Sequence, residues 1–307
     1  MAKKFVVYTV VVGNYDEVTQ PLVIDDRFDY ILFSDTHKEK SIGVWQVRDI
    51  DYNTDNNFVK SRYPRTQPEK VLPDYDAWLY MDGTLQITSQ FIYDRCIDLY
   101  KKGIEIAANK HHVRSNVYEE ICAIIRDDGK ELHDYDCLTW YWYLKEQGYP
   151  DENHIHANLY EGGLMFRAHT DNVQKMDDIW WDSFITHGVR RDQFSLPFAL
   201  WKVPLIKEEF FLPNHENVWN NSGYIKYTKH TKARVLKPLT SWEKIRYRCW
   251  RAGHGSEELY THLFDEAYKI SQKYPRMALH VWTFCALFRY GIKVLVEMVK
   301  HRLVKQK

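Results

Sequence analysis

The run Trp78-Leu79-Tyr80-Met81-Asp82-Gly83 delivers a carboxylate from an apolar stretch into a turn whose glycine lets a ligand approach the backbone. A carboxylate so placed can hold a divalent cation that bridges a diphosphate and offsets the charge developing on a departing nucleotide. The alternative is an ordinary Asp-Gly turn. Just upstream, Arg62, Arg65 and Lys70 offer charge-assisted contacts to the same phosphates, or else line a solvated loop. Farther on, Lys110-His111-His112-Val113-Arg114 precedes Asn116 and a helical stretch bearing Glu119 and Glu120. Clustered imidazole, guanidinium and carboxylate suit recognition of sugar hydroxyls or phosphate, and no zinc-binding spacing accompanies the histidine pair. Glu161-Gly162-Gly163 opens a strand where backbone groups can meet a sugar, or forms a plain turn. Arg190-Arg191-Asp192-Gln193 begins a helix, so Asp192 either complements the helix start or reaches a hydroxyl. Asp35, after Tyr30-Ile31-Leu32-Phe33-Ser34, accepts hydrogen bonds from a nucleobase or ribose, or caps the next turn.

These residues need a scaffold, and the pattern around them supplies one. β-Rich apolar runs at Phe5 to Val12, Tyr30 to Phe33, Val44 to Val47 and Ala77 to Met81 read as buried strands, the first two parallel and ending in polar residues. Shorter strands are expected at Ile104 to Ala107 and Leu164 to Arg167. Helical periodicity covers Gln90 to Lys101, Val117 to Arg126, Tyr135 to Gln147, Val173 to Phe184 and Gln193 to Trp201. Alternation of this kind argues for an open α/β sheet, in which ligands bind at the carboxyl ends of the strands. Asn14, Asp35 and Asp82 all follow a strand there. The weakest join is Thr228 to Ser241, which divides the chain into a catalytic domain over 1–228 and a C-terminal helical region over 229–307.

With 42 basic and 42 acidic residues among 307, no global field attracts nucleic acid, and a polyanion-binding function is disfavoured. The 11 Trp and 22 Tyr fit either stacking on the apolar faces of sugars or an aromatic core. Five widely spaced cysteines with no C-x-x-C pair read as reduced, buried thiols of a cytoplasmic protein. Met1 to Lys4 lead into a strand, not a signal peptide, and no apolar stretch is long enough to span a bilayer. From Met277 to Phe288 no residue is formally charged. Phe288, Ile292, Leu295, Val299 and Leu303 then share one helical face, with Arg289, Lys293 and Lys300 on another. Such a helix either lies in the headgroup region on the inner face of a plasma membrane or packs its apolar face on the catalytic domain.

In this order, the stretches YTVVVGNYDEV (8–18), WLYMDGTLQI (78–87), NKHHVRSNVYEEI (109–121), EGGLMFR (161–167) and RRDQFSLPF (190–198) resemble a GT-A-like glycosyltransferase family first catalogued as a domain of unknown function. It occurs in bacteria and in plant cell-wall and mucilage proteins. The resemblance implies a GT-A, Rossmann-like α/β domain that takes a sugar from a nucleoside diphosphate sugar to a glycan or lipid-linked glycan acceptor, with bacterial surface polysaccharide as the product. It carries over Asp82 as the donor-site acid in place of the usual D-x-D motif, here reduced to Asp82-Gly83-Thr84. With Asp82 as a metal ligand it implies Mn²⁺ or Mg²⁺, and His215 is a candidate later ligand. Arg62, Arg65 and Lys70 fall to the phosphates and His112, Arg114 and Glu119 to the pocket, with Thr9, Asn14, Tyr15, Asp35, Gly83, Glu161, Gly162 and Gly163 as further substrate-binding residues. Asp192, flanked by Arg191 and Gln193, becomes the residue that touches acceptor or donor sugar, as general base or for positioning. A non-catalytic sugar- or nucleotide-sugar-binding protein on the same fold is the competing expectation. A sugar nucleotidyltransferase is disfavoured because no glycine-rich phosphate loop lies near the N-terminus.

Overall fold

The computed structural model describes residues 5–126, 134–150, 159–186, 191–211, 223–228 and 230, with isolated positions at 241, 277, 284, 287 and 288. His215 and nearly all of the C-terminal amphipathic segment lie outside the described residues. The chain begins with β1 (Phe5–Val11), β2 (Phe28–Ser34), β3 (Ser41–Ile42) and β4 (Trp45–Arg48), then α1 (Asn57–Thr66) and α2 (Pro68–Val71). β5 (Ala77–Met81), β6 (Leu85–Ile87), α3 (Phe91–Lys101) and β7 (Ile106–Lys110) follow. Next come α4 (Val117–Arg126), α5 (Asp134–Glu146), β8 (Tyr160–Ala168), α6 (Asp171–Thr186), α7 (Asp192–Lys202), β9 (Lys207–Glu208) and β10 (Ile225–Tyr227).

Eight strands form one mixed sheet in the order β3-β4-β2-β1-β5-β8-β7-β9, and β10 pairs with β6 in a separate two-stranded ribbon. β4, β2, β1 and β5 are mutually parallel, β8 runs antiparallel to both β5 and β7, and β7 therefore runs in the direction of β5. From β1 the chain steps outward to β2 and β4, then returns to β1's other side as β5. The β1/β5 seam is thus a topological switch point, where the carboxyl ends of an open α/β sheet leave a crevice. This is the open α/β sheet expected from the alternation of strands and helices, and the Rossmann-like class that the family resemblance implies.

Both faces of the central strands are buried, so β-branched and aromatic residues fill them without polar alternation. Val7, Leu32, Leu79, Met81 and Phe166 pack with Ile92, Cys96 and Leu99 of α3 on one face. Val6, Tyr8, Ile31, Phe33, Trp78 and Tyr80 pack with Val173 of α6 on the other. Cys96 and Cys137 are buried and in no disulfide, and burial pushes the Cys96 thiol above its ordinary value.

The segment 57–70 differs from a solvated loop: it folds as α1 and α2. Asn56 caps α1, its Oδ1 accepting from the Phe58 and Val59 amides at 3.0 and 3.4 Å, and Pro68 occupies the first turn of α2. β8 is also longer than the apolar run within it, beginning at Tyr160 and taking in Glu161-Gly162-Gly163.

Two compact units account for the chain, one of 1–115, 157–186 and 195–234, the other of 116–156, 187–194 and 235–307. In the second, Asn116 Oδ1 accepts from the Glu119 amide at 3.0 Å and its Nδ2 donates to Glu119 Oε1 at 3.4 Å, a reciprocal cap on α4. Tyr118 donates to the Pro150 carbonyl at 2.7 Å and meets Tyr141 and Tyr149. Arg191 Nε lies 2.5 Å from Oε1 of the wholly buried Glu120.

In the first unit, Arg167 on β8 is fully buried against fully buried Asp177 on α6, Nη1 to Oδ1 at 2.6 Å. Its Nη2 donates to the Tyr8 hydroxyl at 2.6 Å and to the Arg65 carbonyl at 2.5 Å. Burial pushes the Asp177 carboxyl up against the pull of Arg167, and keeps the Tyr8 hydroxyl protonated. Gln67 donates to the Asp177 carbonyl at 2.9 Å, closing the junction of α1, α2 and α6.

Glu69 stands beside this cluster, buried, with neither carboxylate oxygen hydrogen-bonded among the described residues. Burial raises its pKa from 4.5, partly opposed by its own backbone N–H and then by the charges of Arg167 and Lys70. A raised carboxyl pKa favours the protonated native state, so its stabilising effect is complete below pH 4.5 and is lost as pH rises through the folded value. Glu69→Gln should therefore unfold at higher urea concentration than the parent at pH 8, with the difference shrinking toward pH 4.5. Urea titrations at several pH values measure this, and an unchanged or lowered midpoint at pH 8 would count against the buried, unbonded carboxylate.

Candidate functional site

Asp82 leaves β5 at the switch point, and three elements converge on it. Tyr80, two residues back and on the same face, donates its hydroxyl to Asp82 Oδ1 at 2.7 Å. Burial, then the Asp82 charge, raises the Tyr80 pKa, so the phenol remains a donor. Arg65, at the end of α1, brings Nη1 to 3.8 Å from Asp82 Oδ1 and donates through Nη2 to the Gly162 carbonyl at 2.7 Å. Its guanidinium lies 4.9 Å from the Tyr80 ring centroid. The Asp82 amide donates to the Gly163 carbonyl at 2.8 Å, extending the β5–β8 ladder one step past Met81 and Leu164.

An irregularity of β8 makes this possible. Ala108 pairs with Met165 and Lys110 with Tyr160, so four residues of β8 stand opposite the single Asn109 of β7. Residues 161–164 swing away from β7, and their two glycines meet Arg65 and Asp82. A Cβ on Gly162 would lie 2.1 Å from Arg65 Nη2, and one on Gly163 would lie 3.1 Å from Asp82 Oδ2. Glu161, first of the run, is buried and lies 2.6 Å from Nδ1 of His112, which follows β7 at the same sheet edge.

The turn after β1 forms the other wall. Gly13 and Asn14 have φ of +64° and +51°, and the Gly13 amide donates to Asp35 Oδ1 at 2.8 Å. Asp35 thus clamps this turn, with Lys60 at 3.9 Å, while Ser34 Oγ accepts from the Thr36 and His37 amides. Tyr15 lies with its ring 5.1 Å from that of His230, whose Nδ1 is 2.9 Å from Asp16 Oδ1. Asp16 Oδ2 in turn lies 3.8 Å from where a Cβ on Gly83 would stand.

The structure therefore gathers Asp82, Gly83, Arg65, Gly162 and Gly163, joins Glu161 to His112, and sets Asn14, Tyr15 and Asp35 on the neighbouring turn. The other expected residues have these surroundings. Thr9 is buried within β1. Arg62 covers the Phe58 ring at 4.4 Å and donates to Ser61 Oγ. Lys70 pairs with Asp178 of α6 at 2.7 Å. Arg114 lies 2.9 Å from His111 Nε2. Glu119 caps α4, Arg191 pairs with Glu120, and Asp192 is buried in the first turn of α7, followed by half-exposed Gln193. Tyr80, Asp16 and His230 escaped the sequence reading. Tyr80 carried a signal, its i−2 spacing from Asp82 on a strand; His230 carried none. Among the described residues no three His, Cys, Asp or Glu side chains are grouped to hold a metal ion.

The close contact at Gly162 gives a direct test of this geometry. Gly162→Ala must displace Arg65 and should cost about 1–3 kcal/mol, as overpacking does. In an Arg65→Ala background the same substitution should cost almost nothing. A double-mutant cycle by urea unfolding reads this coupling, and additive costs would contradict it.

Among curated proteins none matches the sequence significantly. Solved structures with a similar fold include mouse xyloside xylosyltransferase 1 in its apo form, 8% identical over 67% of this chain and 84% of that one, with a TM-score of 0.37. They also include the apo WbbM bifunctional glycosyltransferase, 11% identical over 71% of this chain but only 40% of that one, with a TM-score of 0.39. Both likenesses are distant, and the assignment rests on the sequence family instead: residues 1–221 match the TOD1/MUCI70, glycosyltransferase-like domain. With more than two thirds of its length inside that match, and with the strand-end carboxylate, the buried arginine and the paired glycines all within it, the chain belongs to the TOD1/MUCI70 glycosyltransferase-like domain family.

Proposed function

We propose that this protein is a glycosyltransferase that moves a sugar from a nucleoside diphosphate sugar to a glycan or lipid-linked glycan acceptor, in the synthesis of a bacterial surface polysaccharide. The observation that carries this reading is the placement of Asp82 at the β1/β5 switch point, beside the Arg65 guanidinium and the glycine backbone of β8. Anionic phosphates meet a fixed cation there, which the two glycines allow to pack beside Asp82.

Asp82 Oδ1 is engaged by Tyr80 and Oδ2 lies beside Gly163, while the side chain as a whole remains 35% exposed. One carboxylate is no cage, but Mg²⁺ is commonly held by one or two carboxylates with substrate phosphates completing its shell. Mn²⁺ or Mg²⁺ would take Asp82 as its protein ligand and would neutralise charge on the leaving diphosphate. Arg65 contributes positive charge at the same place whatever the metal requirement.

A donor screen with UDP-glucose, UDP-galactose, UDP-N-acetylglucosamine and GDP-mannose, with and without Mn²⁺, tests the reading by transfer or slow hydrolysis. Asp82→Asn should lower turnover by at least about 100-fold while the unfolding midpoint stays near that of the parent. Thermal stabilisation by a nucleotide sugar with no turnover in any combination would favour a non-catalytic binding protein on this fold.

Attachment to a membrane surface accompanies this proposal. Among the described residues no helix is long and apolar enough to cross a bilayer. Phe284 and Phe288 are helical and 73% and 90% exposed, as interfacial anchors would be. The full chain should sediment with vesicles containing anionic lipid at low salt, and Phe284→Asp/Phe288→Asp should sediment several-fold less. Equal recovery of parent and variant in the supernatant would refute the attachment.

A further inference from the structure

His112 Nδ1 lies 2.6 Å from Glu161 Oε1, and the side chains are 37% and 3% exposed, so a buried carboxylate orients an imidazole open to solvent. An ionised carboxylate only accepts, so in the neutral imidazole Nδ1 carries the proton and Nε2 the lone pair. His111 stacks on the ring with centroids 5.0 Å apart, and no described residue hydrogen-bonds Nε2. The nearby charges are Lys110, held by Glu209 at 2.9 Å, and Arg114, 2.9 Å from His111. The main chain is fixed as well: the His111 amide donates to the Leu159 carbonyl at 2.8 Å, and the Leu159 amide to that of Ser115 at 3.1 Å.

Glu161 and Gly163 are two residues apart on one strand, about 7 Å along the chain. Gly163 takes the Asp82 amide and Glu161 takes His112, so the same short run fixes the donor-side acid and the imidazole. The geometry points to His112 as the general base that accepts the proton of the acceptor hydroxyl, with Glu161 as the residue that positions it. This assignment rests on the glycosyl-transfer reading above. As the hydroxyl oxygen bonds to the anomeric carbon, its proton passes to Nε2. The bond from that carbon to the diphosphate oxygen breaks, and its electron pair leaves with the nucleoside diphosphate. Glu161 stays ionised and stabilises the imidazolium, much as the aspartate of a serine-protease triad does. A single displacement of this kind inverts the anomeric configuration.

The test uses the full-length protein, the four donors of the screen, and water or a mixed oligosaccharide pool as acceptor, with NMR of the product's anomeric proton. The expected product is inverted. His112→Ala should lower kcat by about 10²- to 10⁴-fold while UDP affinity stays within about twofold, and added imidazole should restore part of the rate. Glu161→Gln, whose amide donates to Nδ1, should also lower kcat with UDP affinity retained, because it turns the tautomer round. A retained configuration, or parental kcat in His112→Ala, overturns the base assignment alone. So does a loss in His112→Ala that imidazole does not relieve and that falls on UDP affinity equally. A parent inert with every donor overturns glycosyl transfer itself, and this inference with it.

Discussion

One buried cation holds the site in place. Arg167 has no access to water, and its desolvation is offset only because Asp177, the Tyr8 hydroxyl and the Arg65 carbonyl all meet it at once. Such an arrangement contributes little net stability, since a charge taken from water costs several kcal/mol on the order of what its partners return. What it contributes is position. Tyr8 belongs to β1, Arg167 to β8, Asp177 to α6 and Arg65 to α1, so four elements are bound at one guanidinium. The Arg65 backbone is anchored from behind, and its side chain is thereby directed to Asp82 and Gly162.

That division of labour explains which residues were legible in the sequence. β5 was legible with its observed bounds, because Ala77 to Met81 is an uninterrupted apolar run ended by Asp-Gly, and α4 likewise from its periodicity. β3, β6, β9 and β10 are two or three residues long, too short to carry any period. α1 was missed because its sequence is basic and contains Pro64, and its ordering depends on tertiary contacts: Arg65 inward, Tyr63 beside Tyr52 and Trp181.

The same reasoning applies within the site. Asp82 could be found from its strand and turn, and Arg65 from charge alone, but nothing local separated Arg65 from Arg62 and Lys70. What distinguishes them is tertiary: Lys70 pairs with Asp178, and Arg62 covers the Phe58 ring while its charge still acts on the Tyr80 hydroxyl. Asp35 shows the converse. Its position after a strand suggested a ligand contact or a cap on the next turn; its carboxylate also accepts the Gly13 amide, from a turn 22 positions earlier that carries Asn14 and Tyr15. The Glu161–His112 pair joins residues 49 positions apart, a distance no motif can bridge.

The two outermost strands of the large sheet, β3 and β9, are each only two residues long. Equal numbers of acidic and basic residues, and an isoelectric point near 7.2, mean that Coulomb repulsion does little to keep copies of this chain apart at neutral pH. Colloidal behaviour then depends on how much unpaired strand each copy presents to another. Stubs of this length, one following Lys38-Glu39-Lys40 and the other consisting of Lys207-Glu208, give an incoming strand scarcely a template on which to pair.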